Sequence, residues 1–316
     1  MDEHIATALE AAFPDREAVD VSGTGPSWNP KNRSVEVAFA DGGTVYLKIA
    51  VDGDGSRIAR ERAVIEHVGA RTAVPVPTVV ASEVEHSVPH LATAPVDGPT
   101  LIESAPGLTV DPATARRVGA ALARIHACRF GEHGHIVGGG ADGLEVDGQP
   151  WPDVLVDTIE ETREIAPAER FDHHFDDVID AVERNRERLA RAPAALLHGD
   201  PAQPNCFRGD RGVGFLDWEI AHVGDPAREL VRARRQLTRR VRAETDERAA
   251  TALFEGYRSR SGSLPAGFEE RAPIYEAVTF LGTSGFAEKC AEFVDESTAA
   301  FVEWVAAEMD RRLGAI

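Results

Sequence analysis

Between Val35 and Phe39 every second residue is apolar, residues 41–43 read Asp-Gly-Gly, and the extended run Val45-Tyr46-Leu47-Lys48-Ile49-Ala50-Val51 follows. Alternation broken by a turn predicts a β-hairpin. The spacing then changes to that of a helix from about Ser56 to Ala70, with Ile58, Ile65 and Val68 on one stripe. Glu61 falls on that same stripe, and a carboxylate turned toward an interior is costly unless it is paired. Pro75 and Pro77 bound a further strand over residues 78–82, and another over residues 90–94 runs into Pro95-Val96-Asp97-Gly98-Pro99. This Pro/Gly cluster marks the connection between two lobes. Beyond it the pattern is mainly helical: Asp111-Pro112 is an N-cap and first-turn pair, and Val118, Ala121, Leu122 and Ile125 follow at helical spacing to an end near His126. Residues 131–150 are glycine-rich and read as an exposed loop, in which His133 and His135 are weighed as metal ligands and set aside. The expectation is an α+β protein with a strand-rich lobe over residues 1–95 that carries one helix, and a mainly helical lobe over residues 96–316.

Composition narrows the partners. The 316 residues suffice for a core without disulfides, and Cys128, Cys206 and Cys290 are too far apart to form a zinc ribbon or a redox pair. A formal charge of −19, from 53 acidic against 34 basic residues, repels nucleic acid and anionic lipid. No apolar run approaches the length of a membrane span, and the N-terminus has no basic-then-apolar signal, so a cytoplasmic monomer or weak dimer is expected. Lysine occurs only at Lys31, Lys48 and Lys289. Acidity spread along the whole chain suits a salty cytoplasm, where like charges are screened; a melting temperature that molar salt leaves unchanged or lowers would count against that idea.

The stretch from Leu196 to Leu230 carries the chemistry. It contains His198-Gly199-Asp200, then Asn205, then two apolar runs around Gly209-Asp210-Arg211-Gly212, ending at Asp217-Trp218-Glu219. A hairpin centred near residue 211 would pair positions whose numbers add to about 422, which brings Asn205 opposite Asp217. One amide oxygen and one carboxylate are hard ligands of the kind magnesium takes. Singly, each residue has an ordinary explanation: an Asp between Gly and Pro is a turn residue, Asn205 a strand cap, Asp217 a surface ion-pair partner. Three together at this spacing are not explained that way.

This stretch resembles the catalytic and metal-binding segments of the aminoglycoside phosphotransferase and choline kinase family, a branch of the protein-kinase-like fold. The shared features are His-Gly-Asp, Asn five residues after the Asp, an apolar strand ending in Asp-Trp-Glu, and Gly224-Asp225-Pro226. Tyr46-Leu47-Lys48 resembles the strand whose lysine holds ATP phosphates, and Arg60-Glu61-Arg62 the helix whose glutamate steadies it. The resemblance implies ATP and Mg²⁺ as cofactors and a small-molecule hydroxyl, of aminoglycoside, choline, amino alcohol or sugar type, as acceptor. It makes Asp200 the proton acceptor and His198 the residue that fixes its loop. It makes Asn205 and Asp217 the metal ligands, and Lys48 with Glu61 the phosphate-holding pair. Ser27, in a loop of small residues, becomes a phosphate contact, and the backbone of Ala94 to Val96 the place for adenine. The family continues Gly-Asp-Pro to an Asp before Leu, whereas this chain has Glu229-Leu230, a change expected to matter for packing.

Two rivals are weighed. A non-catalytic nucleotide-binding pseudokinase would ordinarily lack the base, a metal ligand or the lysine, and all are present here. A zinc hydrolase using His198 and Asp200 would need further His or Cys ligands, and none stands at a suitable spacing. Glu288, Glu292 and Asp295, one or two turns apart, are read as a solvated helix face that a cation could also approach.

Overall fold

The computed structural model describes residues 2–24, 31–104, 109–238, 242 and 245–316. It forms two compact units, each assembled from separated segments: Met1–Thr100, Ile136–Val146 and Asn205–Ala221 make the first, and Leu101–His135, Asp147–Pro204 and His222–Ile316 the second.

The first unit begins with α1 (Glu3–Ala12), β1 (Ala18–Gly23), β2 (Asn32–Phe39), β3 (Thr44–Ala50), α2 (Ser56–Arg71), β4 (Val79–Glu83) and β5 (His90–Thr93). The strands form an antiparallel sheet in the order β1-β2-β3-β5-β4. In β3 the apolar Val45, Leu47 and Ile49 face a core shared with Val35, Val37 and Phe39, and Ile5, Ala8 and Leu9 of α1 pack into it. The pleat therefore turns Lys48 to the opposite face of the sheet. Helix α1 adds a helix that the strand reading of this lobe did not include. Its signals were present, because Asp2 caps it and Ile5, Ala8 and Leu9 recur at helical spacing.

The chain continues through α3 (Leu101–Ser104), α4 (Pro112–Ile125), β6 (Gly134–Gly140), β7 (Gly143–Gly148), α5 (Trp151–Ile165), α6 (Asp172–Arg184), α7 (Arg186–Leu189) and β8 (Ala195–Leu197). The glycine-rich residues 131–150, expected as a loop, are instead a hairpin, β6 with β7. His135 lies in β6, paired with Asp157 at 3.1 Å, and His133 packs by Trp151. Glycine lowers strand propensity without forbidding extended backbone, so composition alone misread this segment.

Next come β9 (Cys206–Gly209), β10 (Gly212–Phe215), β11 (His222–Gly224), α8 (Pro226–Thr238), α9 (Glu247–Ser261), α10 (Phe268–Gly285), α11 (Ala287–Ala291) and α12 (Thr298–Leu313). Helices α4 and α9 approach unusually closely: a Cβ on Gly119 would lie 2.0 Å from the Leu253 carbonyl oxygen, and one on Gly256 1.9 Å from that of Arg116. This contact sets His126, the C-cap of α4, beside Tyr257 of α9. Asp111 caps α4 by accepting from the Ala113 and Thr114 amides, as the sequence predicted. Glu288, Glu292 and Asp295 are exposed.

Candidate functional site

In the first unit, one lysine gathers three carboxylates. Lys48 Nζ lies 2.6 Å from Glu61 Oε2, 2.5 Å from Asp217 Oδ1 and 3.2 Å from Glu219 Oε2. Ligand atoms of the three acids lie within 4.8 Å of one another. Glu61 reaches this point because it shares the buried stripe of α2 with Ile58, Ile65 and Val68, and its second oxygen accepts from the Trp218 amide at 3.3 Å. Glu219 is fixed by Asn32 Nδ2 at 2.6 Å and by Arg57 at 3.3 Å. Burial works against the charge on Lys48, but the three carboxylates outweigh it and hold the ammonium well above its ordinary range. With three acids to one lysine, Glu61 takes the excess: burial pushes its carboxyl up to about 7, against the pull of Lys48 and with the push of Asp217 and Glu219.

The hairpin that carries Asp217 has a register one step from that expected. Its pairs are Gly209 with Gly212, Arg208 with Val213, Phe207 with Gly214 and Cys206 with Phe215, closing a two-residue turn at Asp210-Arg211. Asn205 therefore opposes Leu216, whose amide donates to the Asn205 carbonyl at 2.8 Å, and Asp217 lies beyond the ladder. Asp217 has φ +62°, the only non-glycine residue with positive φ among the described residues. That left-handed backbone, and not the strand pleat, aims its carboxylate at Lys48. Asn205 ends a short 3₁₀ turn over Gln203–Asn205. Gly98, at φ +96°, lies against the same hairpin, since a Cβ there would be 2.2 Å from the Arg208 carbonyl oxygen. Within that connection the Ala94 amide donates to Thr78 O at 2.9 Å, and Val96 is half-buried. Ser27 lies outside the described residues. A groove of ≈ 600 Å³ in this unit, lined by residues including Ile65, Val74, Thr78 and Arg211, contains none of the candidate residues.

In the second unit, His198, Gly199 and Asp200 follow β8 as a rigid loop. Gly199, at φ +92°, donates its amide to Glu229 Oε1 at 2.6 Å, and Glu229 Oε2 lies 2.8 Å from His126 Nε2. The Asp200 amide donates to His198 Nδ1 at 3.1 Å, so the neutral ring carries its proton on Nε2. A buried ring bound in this way is suited to holding the loop. The Asp200 carboxylate accepts from Arg232 Nη2 at 2.8 Å and from Gln236 Nε2. Burial would raise its pKa, but the charge of Arg232 and the hydrogen bonds from Gln236 and Arg232 hold it below the usual carboxylate range.

Glu229 is more than packing. It ties α8 to the loop that bears Asp200, while Asp225 caps α8 through Ala227 and holds α10 through Arg271 at 2.6 Å and Tyr275 at 2.7 Å. Burial would raise the Glu229 carboxyl, but its hydrogen bond and ion pair with His126 and the bond from the Gly199 amide bring it down to about 2 from an ordinary 4.5. A depressed acid contributes stability that is present above about pH 4.5 and is lost as pH falls toward 2, on the order of 3 kcal/mol here. Glu229→Gln should therefore flatten the acid limb of the melting curve between about pH 5 and pH 3. Equal slopes for parent and variant would refute the assignment.

Comparisons with known proteins show the family and the fold. Residues 24–264 match the model of the phosphotransferase enzyme family. The chain belongs to that family. A probable ketoamine kinase of Klebsiella aerogenes is 36% identical to this phosphotransferase over 110 residues, a match covering 34% of each chain. Among solved structures, aminoglycoside phosphotransferase APH(4)-Ia superposes with a TM-score of 0.64 at 18% identity, covering 98% of this chain and 97% of that one. A choline kinase of Streptococcus pneumoniae gives 0.62 at 14% identity, with 99% and 98% covered. A putative fructosamine-3-kinase of Thermobifida fusca gives 0.57 at 19%, with 96% and 100% covered. These likenesses show the two-lobed α+β kinase-like fold. No helix among the described residues is long and apolar enough to cross a membrane.

Proposed function

We propose that this phosphotransferase is a small-molecule kinase that moves the γ-phosphoryl group of ATP, with Mg²⁺, to a hydroxyl group. The observation that carries the reading is the lysine held at once by Glu61, Asp217 and Glu219. The carboxylates offer hard oxygens to a dication and the lysine a donor to phosphate, which are the groups phosphoryl transfer asks of a protein. Bound metal would supply neutralisation of the phosphate charge. Residues 1–95, completed by the hairpin at 205–221, would form the nucleotide-binding lobe, and the rest of residues 96–316 the catalytic and substrate-binding lobe. Lys48, steadied by Glu61, would contact phosphate oxygens, and Asp217 and Asn205 would ligate the metal, with Glu219 beside them. The backbone from Ala94 to Val96 would face adenine, and Ser27 would touch phosphate. Asp200 would take the proton as the acceptor oxygen bonds to phosphorus and the bond from phosphorus to ADP breaks; His198 would keep that loop in place.

The relatives support this reading: two solved complexes of APH(4)-Ia variants hold hygromycin B with ADP or AMP-PNP. The test is ADP release with ATP, Mg²⁺ and a panel of aminoglycosides, choline, amino alcohols, sugars and ketoamines. Transfer to at least one acceptor is expected, abolished by EDTA and restored by added Mg²⁺. Nucleotide binding without transfer to any acceptor would overturn the reading in favour of a pseudokinase.

A further inference from the structure

Helix α8 places Arg228, Arg232 and Gln236 four residues apart, so the three share one stripe spanning about 12 Å of helix axis. The middle residue, Arg232, touches Asp200 through Nε at 3.1 Å and Nη2 at 2.8 Å. The outer two each present a buried polar atom without a hydrogen-bond partner, Arg228 Nε and Gln236 Oε1. The orientation of the Gln236 amide is dictated by chemistry, because only its NH₂ can donate to the Asp200 carboxylate, which leaves the oxygen turned away.

Arg228 is 6% exposed. Its hydrogen bonds go to His222 Nε2 at 3.0 Å and Thr158 Oγ1 at 3.4 Å, both neutral acceptors, the first because a ring nitrogen that accepts carries no proton. Arg234 of the same helix differs, because it meets the carboxylate of Glu276. Burial, then the like charge of Arg232, bring Arg228 down to about 10 against the pull of Glu229. A guanidinium buried without an anion in hydrogen-bond contact costs several kcal/mol, and such a cost is ordinarily offset where an anion binds. The stripe is therefore a cationic wall in a chain of net charge −19, beside the residue read as the base.

We propose that the stripe Arg228–Arg232–Gln236 is the acceptor subsite, and that it takes an acceptor bearing an oxyanion, a carboxylate or a phosphate ester, together with a hydrogen-bond donor that meets Gln236 Oε1. This rests on the kinase reading above and gives it a substrate class. Arg232 is the specificity residue. Its fork binds an oxyanion with two parallel hydrogen bonds. An aminoglycoside or choline, being cationic, would meet two guanidinium groups here.

The experiment has two arms on the full chain. In the first, melting temperature is followed with gluconate, glucose 6-phosphate, glucose or choline, for the parent, Arg232→Gln and Arg232→Lys. The two anions should stabilise the parent, glucose and choline should not, and the gain should vanish in R232Q and return in part in R232K. A preference between gluconate and glucose 6-phosphate separates the carboxylate from the phosphate source. In the second arm, ADP release is compared across acidic, neutral and cationic hydroxyl acceptors. The ratio of kcat/KM for acidic acceptors to that for neutral acceptors should fall about 10- to 100-fold in R232Q. Transfer confined to neutral or cationic acceptors, or an equal loss on all acceptors in R232Q, overturns the subsite while leaving the kinase reading intact. Arg232-dependent stabilisation by the anions with no transfer to any acceptor supports the subsite while the kinase reading fails. No stabilisation by either anion, with no preference for acidic acceptors, overturns the proposal.

Discussion

Asp200→Asn is expected to lower turnover by about 10²- to 10⁴-fold while leaving nucleotide affinity close to that of the parent. The substitution isolates the proposed proton acceptance. Asparagine keeps an oxygen to receive the hydrogen bonds that Arg232 and Gln236 now give to Oδ1. It also keeps the backbone amide that donates to His198 Nδ1. What it cannot do is take a proton from a hydroxyl. Asp200 is suited to that task at neutral pH because the charge of Arg232 keeps it ionised despite its burial. The lysine-centred cluster contains no residue of this loop, so ATP affinity, read by calorimetry, should change by less than about threefold, well under 1 kcal/mol. Turnover equal to the parent's on the true acceptor would show that some other group takes the proton.

Lys48→Met removes the cation that touches all three carboxylates of the first unit. Methionine keeps most of the length and none of the charge. Glu61 and Glu219 are largely buried, with side chains 6% and 11% exposed, so the acids cannot simply be hydrated. Breaking such a buried set costs about 3–5 kcal/mol, and turnover should fall by at least about 10²-fold with the loss of a phosphate donor. The distinguishing readout is magnesium. Mg²⁺ should raise the melting temperature of the variant more than that of the parent, because in the variant the ion meets three acids with no competing ammonium. A variant as stable as the parent and indifferent to Mg²⁺ would mean that the cluster has neither a structural nor a metal-binding role.

Much of this site was legible in the residues. The helical stripe of α2 turned Glu61 toward an interior, where the cost of burying a carboxylate required a partner, and the family resemblance named Lys48 as that partner. Glu219 stands within Asp-Trp-Glu and was given no role: the left-handed backbone at Asp217 breaks the alternation by which residues two apart are placed on one face. The spacing of Arg228, Arg232 and Gln236 was equally visible, but helical periodicity shows that residues share a face and not what the face meets. The direct contact of Glu229 with Gly199 joins residues thirty apart, with a histidine from another helix on the second carboxylate oxygen, and nothing local announces it. The hairpin at residues 134–148 failed for a different reason, because glycine lets backbone extend without leaving the apolar alternation by which strands are recognised.

The left-handed turn at Asp217 explains why its carboxylate reaches Lys48 although the hairpin register lies one step from that expected. Inside a ladder, a slip of one residue exchanges the two faces of a strand. A carboxylate aimed by its own torsion, past the last rung, does not inherit that exchange. A change of length at the hairpin tip and the aim of the carboxylate at its base are thereby insulated from each other.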